Sequence, residues 1–245
     1  MNIRQSEKAK LQIQNGPEVS IIIPTFNERE NVDELLSRIN NVLNDINWEA
    51  IFVDDDSPDG TASYVREIAQ NDHRVRCIQR IGRRGLSTAC IEGMLSSSAS
   101  FFAVIDGDLQ HDESLLRPML TTLKSEDVDI VVGSRYISGG GVGDWDRSRV
   151  NISRFANKLS NFVTKSTLSD SMSGFFMIRR EAFMNSVRDL SGIGFKILLD
   201  LFASSPQPLK FKELAYEFRS RKSGDSKFDT HIAWDYGMLL LDKLV

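Results

Sequence analysis

Between Val19 and Tyr136 the chain alternates short apolar runs with segments of helical periodicity, and this rhythm leaves few folds open to it. VSIIIP, at 19–24, is a continuous apolar run rich in β-branched residues, the pattern of a strand covered on both faces in a parallel sheet. Val32, Leu35, Leu36, Ile39, Val42 and Leu43 then recur at helical spacing. EAIFVDDDS predicts a second strand, TASYVREIAQ a second helix and VRCIQR a third strand. GLSTACIEGMLSSS predicts a helix, FFAVID a fourth strand, ESLLRPMLTTLKS a helix interrupted near Pro118, and VDIVVGSRY a further strand. Regular alternation of this kind implies an α/β fold, a mostly parallel, doubly wound central sheet with helices on both faces.

Past Tyr136 the rhythm breaks. ISGGGVGDWDRSR is glycine-rich and polar, which predicts a long surface loop. Helical periodicity resumes in VNISRFANKLSNFVTKS, and SGFFMIRR predicts a strand. EAFMNSVRDL and KILLDLFASS predict helices, the second ended by Pro206, and LKFKELAYEFRSR alternates like a late strand. Residues 1–18 are polar and broken by Gly16-Pro17, so a loose tail is expected there. Residues 19–230 would form one domain, and 231–245 an amphipathic helix carrying Trp234, Leu239, Leu240 and Leu244. That helix suits either docking on the core or contact with a membrane surface.

Composition excludes several classes. A chain of 245 residues, 41% hydrophobic and 26% charged, can bury a proper core. A net charge of -4 argues against a protein whose whole surface grips nucleic acid. Two cysteines, Cys77 and Cys90, are too few for a disulfide framework and read as reduced core thiols in a cytosolic setting. The polar start lacks the apolar stretch of a signal peptide, and no later run is long enough to cross a bilayer, so the chain reads as soluble.

Open α/β sheets bind ligands beyond the carboxyl ends of their strands, where loops and helix N-termini converge. The first strand is followed by Pro24-Thr25-Phe26-Asn27-Glu28, without glycine. The GxGxxG signature is therefore missing, and the dehydrogenase reading with it. The second strand leads into Val53-Asp54-Asp55-Asp56-Ser57-Pro58-Asp59-Gly60-Thr61. Asp59-Gly60 suits a turn, and Ser57 or Asp59 can cap the next helix, but three successive acids exceed what a cap requires. An acid here can accept hydrogen bonds from the N–H groups of a purine or pyrimidine, whereas it would repel a phosphate.

The fourth strand leads into Asp106-Gly107-Asp108. On a continuing strand both acids would share a face, with Gly107 leaving the backbone open to a ligand. Two close carboxylates repel until a raised pKa or a cation relieves them. With Gln110 and His111 just beyond, this oxygen-rich set favours Mg2+ or Mn2+, held by few protein ligands and completed by a substrate diphosphate. Acids at strand ends are often only solvated turns; those after the second strand tip the balance toward a metal.

IIIPTFNERENV, VDDDSPDGT, IDGDLQHD and VVGSRYISGGGVGDW together resemble the motifs of inverting GT-A glycosyltransferases of the family-2 type. More narrowly, they resemble those of the dolichol-phosphate (polyprenyl-phosphate) mannosyltransferases, from about Val19 to Lys227. The resemblance implies a GT-A fold in which a Rossmann-like nucleotide-binding half joins an acceptor half. It places Pro24, Asn27 and Glu28 at the nucleotide pocket, and Asp54 and Asp55 at the base and ribose of GDP-mannose, with Val53 and Gly107 alongside. It gives the divalent metal to Asp106, Asp108 and Gln110. Arg135 would reach the lipid phosphate, joined by Arg149 and Ser153, and Arg221, Lys222 and Lys227 would belong to a loop that closes on the donor. Asp106, Asp108 and Arg135 would carry catalysis. Three positions depart from the family pattern: it usually has Ala at Gly107 and Pro at Asp112, and often Gly at Ser87.

The implied reaction is an inverting, metal-dependent transfer of mannose from GDP-mannose to a polyprenyl (dolichyl) monophosphate, giving a β-linked product. A sugar hydroxyl acceptor would need a general base, but a lipid monophosphate, with a second pKa of about 6, is already an anion and needs cations instead. Arg135 and Arg149 supply planar forks suited to phosphate oxygens. An ordinary ion pair is the commoner fate of an arginine, yet Arg135 follows directly on an apolar strand, beside Gly133 and Ser134. The metal and the lysines would stabilise the departing GDP. Other readings stay open: glucose or another sugar as donor, a hydroxyl acceptor, a sugar nucleotidyltransferase, or a silent binding module. The nucleotidyltransferase would want an early glycine-rich basic loop, which is missing. The GRRG turn at 82–85 either faces phosphates or is a basic surface turn. The resemblance further implies peripheral attachment to the cytoplasmic face of a membrane, through a partner or a transmembrane segment beyond Val245.

Overall fold

The computed structural model describes residues 16–143 and 167–220. Strand β1 (Val19–Thr25) lies inside a seven-stranded sheet because nothing in its apolar run needs water. It pairs in parallel with β2 (Trp48–Asp54) on one side and β4 (Phe101–Val104) on the other. With β3 (Val75–Gln79), β5 (Ile130–Ser134), β6 (Phe176–Arg179) and β7 (Phe211–Ala215), the strand order is β3-β2-β1-β4-β6-β5-β7. The first four are parallel and build the Rossmann-like half.

Strand β6 is the exception, running antiparallel between β4 and β5, while β7 returns parallel to β5. Its direction matters for the site. An antiparallel strand starts where its neighbours end, so the residues just before β6 arrive at the carboxyl ends of β4 and β5.

Alternate residues of the strands feed two cores. Ile21 and Ile23 pack under α1 (Val32–Val42), α2 (Thr61–Ala69) and α4 (Leu116–Ser125). Ile22, between them, packs on the other face under α3 (Leu86–Leu95), α5 (Arg180–Ser186) and α6 (Ile197–Ser204). Helices therefore cover both faces, as the alternation predicted. Helix α3 sits close because Gly93 has no side chain: a Cβ there would stand 2.5 Å from Ile22 Cγ2 and 3.0 Å from Val53 Cγ2.

Three details differ from the sequence expectation. Pro118 does not interrupt α4 but lies in its first turn, where a missing N–H removes no helical hydrogen bond. A 3-10 turn, Glu113–Leu115, precedes the helix, and Asp112 accepts from the Ser114 amide at 3.2 Å. Residues 16–18 of the expected tail are tied down, with the Glu18 amide donating to the Asn47 carbonyl at 2.7 Å. Strand β4 stops at Val104, so the acids after it lie on a turn. Cys77 and Cys90 are free, and burial raises both thiols, Cys77 to about 11. Among the described residues no helix is long and apolar enough to cross a membrane. Residues 1–15, the helical segment expected over 150–166 and the amphipathic helix expected over 231–245 lie outside the described residues.

Candidate active site

The turns after β1 and β2 are built on each other. Successive amides of the first, from Asn27, Glu28 and Arg29, donate to Ser57 Oγ (2.9 Å), Thr61 Oγ1 (3.2 Å) and Asp59 Oδ2 (3.1 Å) of the second. Asp59 also accepts from the Thr61 amide and hydroxyl, which starts α2. Much of SPDGT is thus engaged in holding the turn over β1. Among the described residues three non-glycine residues take positive φ, Asn27 (59°), Asp56 (58°) and Leu109 (63°), and all lie on turns at this end of the sheet. Backbone strain of this kind persists where the surroundings over-determine it, and it clusters at functional sites.

Neighbouring acids after β2 diverge. Asp54 is 0% exposed and accepts from Ser57 Oγ (2.5 Å), the Ser57 amide (2.9 Å) and Thr25 Oγ1 (3.1 Å). It is turned inward and builds the turn, rather than facing a base or ribose. Val53 is likewise a core residue, 0% exposed. Asp55 differs: its Oδ2 accepts from the Gly85 amide at 2.8 Å, and its Oδ1 stands 3.3 Å from Arg80 Nη1. Burial raises the Asp55 carboxyl, while the Gly85 amide and Arg80 pull it down. Arg80 is 1% exposed and donates to the Gly85 carbonyl (2.9 Å) and Thr88 Oγ1 (2.7 Å). Asp55 Oδ1 and Arg80 Nε are buried without a hydrogen-bond partner. Of the GRRG arginines, Arg83 forks onto Glu92 and Arg84 lies 4.2 Å over the Phe26 ring. Pro24 is half-buried, and Glu28 is buried, with Oε2 accepting from Asn31 Nδ2 at 2.7 Å.

On the turn after β4, Asp106 and Asp108 do not share a strand face. The Asp106 side chain is 32% exposed, whereas Asp108 is buried, and its Oδ1 accepts from the Gln110 amide at 3.1 Å. Gly107 is not open to a ligand either. A Cβ there would stand 3.2 Å from Thr25 Cγ2 and 3.4 Å from Glu28 Cγ, so its bare Cα lets the turn over β1 pack closely. Gln110 Nε2 donates to the Arg219 carbonyl at 3.0 Å, and the Arg219 amide returns a bond to the Gln110 backbone carbonyl at 2.9 Å. The Arg219 guanidinium then pairs with Asp112 and Glu113.

His111 supports this turn from beneath. Its Nδ1 accepts from the Asp106 amide at 3.2 Å, which places the ring proton on Nε2, 3.8 Å from Asp106 Oδ2. The ring stacks on Phe175 at 5.2 Å and meets Tyr216 and Phe218 edge-on. Burial pushes its pKa down to about 4, so it is neutral at physiological pH. Gly174, brought here by the direction of β6, leaves room for both groups: its Cβ position is 3.4 Å from Asp106 Oδ2 and 3.5 Å from His111 Cε1.

Arg135, just past β5, is buried and forks onto Asp170, with Nε to Oδ2 at 2.7 Å and Nη2 to Oδ1 at 2.8 Å. Burial opposes its charge, but Asp170 outweighs that and raises its pKa. Lys196, at the start of α6, lies in the field of Arg135, Asp170 and Asp106. Burial and then Arg135 bring its pKa down to about 8, against the pull of the two acids.

Among the described residues no group of three His, Cys, Asp or Glu side chains forms a closed metal site. Asp106, Asp108 and the Gln110 amide are a sparse oxygen set. Such a set fits Mg2+ or Mn2+ whose shell is completed by substrate phosphates and water.

Residues 20–186 match the profile of Glycosyl transferase family 2. The chain belongs to this family. As a glycosyltransferase it is 38% identical to the dolichol-phosphate mannosyltransferase of Pyrococcus furiosus over 220 residues, covering 89% of this chain and 61% of that relative, less than two thirds of its length. It is 32% identical to the dolichol-phosphate mannosyltransferase of Saccharomyces cerevisiae over 228 residues, covering 89% of this chain and 84% of the relative. Glucosyl-3-phosphoglycerate synthase from Mycobacterium tuberculosis, crystallised with Mn2+, UDP and glucosyl-3-phosphoglycerate, superposes with a TM-score of 0.67. That match has 16% identity and covers 94% of this chain and 79% of the synthase. The same synthase with Mg2+ and UDP gives a TM-score of 0.66. At such identity the likeness shows the fold alone, which is GT-A.

Three residues of this candidate site carry no motif in the sequence. Arg80 could have been found: Asp54 pairs with Gln79 across β2 and β3, so Asp55 and Arg80 leave the sheet side by side. Asp170 and Lys196 carried no signal, because each reaches Arg135 only through the return of the chain around β6. Arg149, Ser153, Arg221, Lys222 and Lys227 lie outside the described residues.

Proposed function

We propose that this family 2 glycosyltransferase moves mannose from GDP-mannose to a polyprenyl (dolichyl) monophosphate at the cytoplasmic face of a membrane, with inversion at the anomeric carbon. The observation that carries the reading is a pair of cations at this corner: Arg135 forks onto Asp170, and Lys196 lies in the field of Arg135, Asp170 and Asp106. Acids on the turn after β4 suit a donor diphosphate that brings a divalent ion, and cations beside them suit an anionic acceptor. The relatives named dolichol-phosphate mannosyltransferase support the same choice of donor sugar and acceptor.

In this reading Asp55 accepts from the ring N–H and exocyclic amine of guanine, held in place by Arg80 and the Gly85 amide. Pro24, Asn27, Glu28 and Gly107 shape the neighbouring wall through the interlocked turns. Asp106, Asp108 and Gln110 would hold Mg2+ or Mn2+, which when bound offsets charge on the leaving nucleotide. Arg135, with Arg149 and Ser153, orients the lipid phosphate, and Arg221, Lys222 and Lys227 cover the donor. The acceptor oxygen is already anionic, so no side chain has to remove a proton during attack. A single in-line displacement then forms the new bond from phosphate oxygen to anomeric carbon as the bond to GDP breaks.

The test is a panel of labelled nucleotide sugars incubated with the protein, Mg2+ or Mn2+ and a short polyprenyl phosphate. GDP-mannose should give the lipid-soluble product. Product from a different donor and none from GDP-mannose would overturn the choice of sugar nucleotide.

A further inference from the structure

We propose that Lys196 binds the phosphate of the acceptor, holding it beside Asp106 and the Arg135–Asp170 pair. The inference rests on reading the acceptor as a phosphate monoester. It begins with charge. Arg135 commits two nitrogens, Nε and Nη2, to the Asp170 carboxylate, so this ion pair is close to neutral as a unit. A phosphate dianion approaching it would also meet the Asp106 carboxylate. A cation besides Arg149 strengthens the pull on the dianion, and Lys196 is in the field of all three groups. Among the described residues its ammonium makes no hydrogen bond or ion pair of its own.

The backbone that carries Lys196 is fixed in advance. Asp200, buried in α6, accepts from the Ser191 amide (3.3 Å), Ser191 Oγ (2.9 Å) and the Gly192 amide (3.0 Å). Gly192 and Gly194 take the positive φ values, 65° and 68°, that this tight return requires. The Gly194 carbonyl then accepts from the Ser87 amide at 3.2 Å, which anchors the loop to the start of α3. The loop is therefore held between α6 and the start of α3, at the carboxyl end of the sheet, with Lys196 at its end.

Half-buried and in the field of Arg135, the ammonium has lost part of its hydration and gains more from an arriving anion than a solvated lysine would. This makes Lys196 a binding residue for the acceptor, distinct from a lysine that closes over the donor.

The full chain should be compared as wild type, Lys196→Met, which keeps the aliphatic stem, and Lys196→Arg, which keeps the charge. Lys196→Met should raise the KM for a short polyprenyl phosphate by about tenfold or more, with the KM for GDP-mannose unchanged, and Lys196→Arg should recover most of the loss. A matching rise in donor KM, or an unchanged acceptor KM, overturns the proposal. A titration of inorganic phosphate followed by 31P NMR, with GDP and Mg2+ saturating, separates this inference from the choice of acceptor. Weaker phosphate binding in Lys196→Met supports the site even if the wild type uses no polyprenyl phosphate, in which case only the lipid acceptor is wrong. Equal phosphate affinity in the two proteins overturns the site whatever the acceptor.

Discussion

Arg135 and Asp170 form a two-pronged pair at 2.7 and 2.8 Å, and the Arg135 amide adds a third bond to Asp170 Oδ2 at 3.1 Å. Asp170 is fully buried, so the carboxylate has no water to replace its partner. Asp170→Ala should leave the guanidinium charge buried and uncompensated, at a loss of about 3–5 kcal/mol. Urea unfolding measures it; a variant that unfolds like the wild type would show that the pair does not hold this corner together.

Asp55 and Arg80 should govern the donor rather than the acceptor. Asp55→Asn removes the charge facing Arg80 and puts an amide where guanine N–H groups would donate. The KM for GDP-mannose should rise by about tenfold or more while that for the lipid phosphate holds. A rise confined to the acceptor would place the nucleotide elsewhere.

His111 makes stability depend on pH. Its folded pKa of about 4 lies below the ordinary value of 6.5, so between these values the unfolded chain binds the proton and the folded chain does not. Stability therefore falls as pH drops from 6.5 toward 4, by on the order of 3 kcal/mol in all, and the loss levels off below that. His111→Asn, whose Oδ1 can accept from the Asp106 amide, should flatten that slope relative to the wild type in unfolding curves taken across this range. Equal slopes in the two proteins would contradict the buried neutral ring.

Gly93→Ala tests how closely α3 lies on the sheet. The new methyl group would overlap Ile22 and Val53, and overpacking of a core typically costs about 1–3 kcal/mol. The gain in helix propensity, up to about 1 kcal/mol, does not offset that. A raised melting temperature would mean that the helix can move away freely.

The parts of this protein that could be read from its sequence are those set by short-range periodicity. Ile21, Ile22 and Ile23 were recognisable as a strand buried on both faces because the side chains of a strand alternate. The acids at Asp55 and Asp106 stood out because they follow apolar runs. Local reading failed where the chain turns. Asp106 and Asp108 were expected on one face, but β4 ends two residues before Asp106 and Leu109 takes a positive φ, so the rule for strands no longer applied. Asp54 and Asp55 are adjacent and chemically alike, and only the placing of Thr25, Ser57, Gly85 and Arg80 separates a turn-builder from a candidate ligand residue.

The sequence by itself determined the alternating elements, the two-faced sheet and the acidic turns at its carboxyl end, because hydrophobic period and turn chemistry act between near neighbours. Tertiary structure decided that β6 enters antiparallel, bringing Gly174 and Phe175 to the acidic turn, that Arg135 finds Asp170, and that Lys196 comes into the field of both. Those pairings join residues far apart in the chain, and nothing in local spacing records them: charges pair according to where the backbone returns, and that is fixed only when the whole sheet is packed.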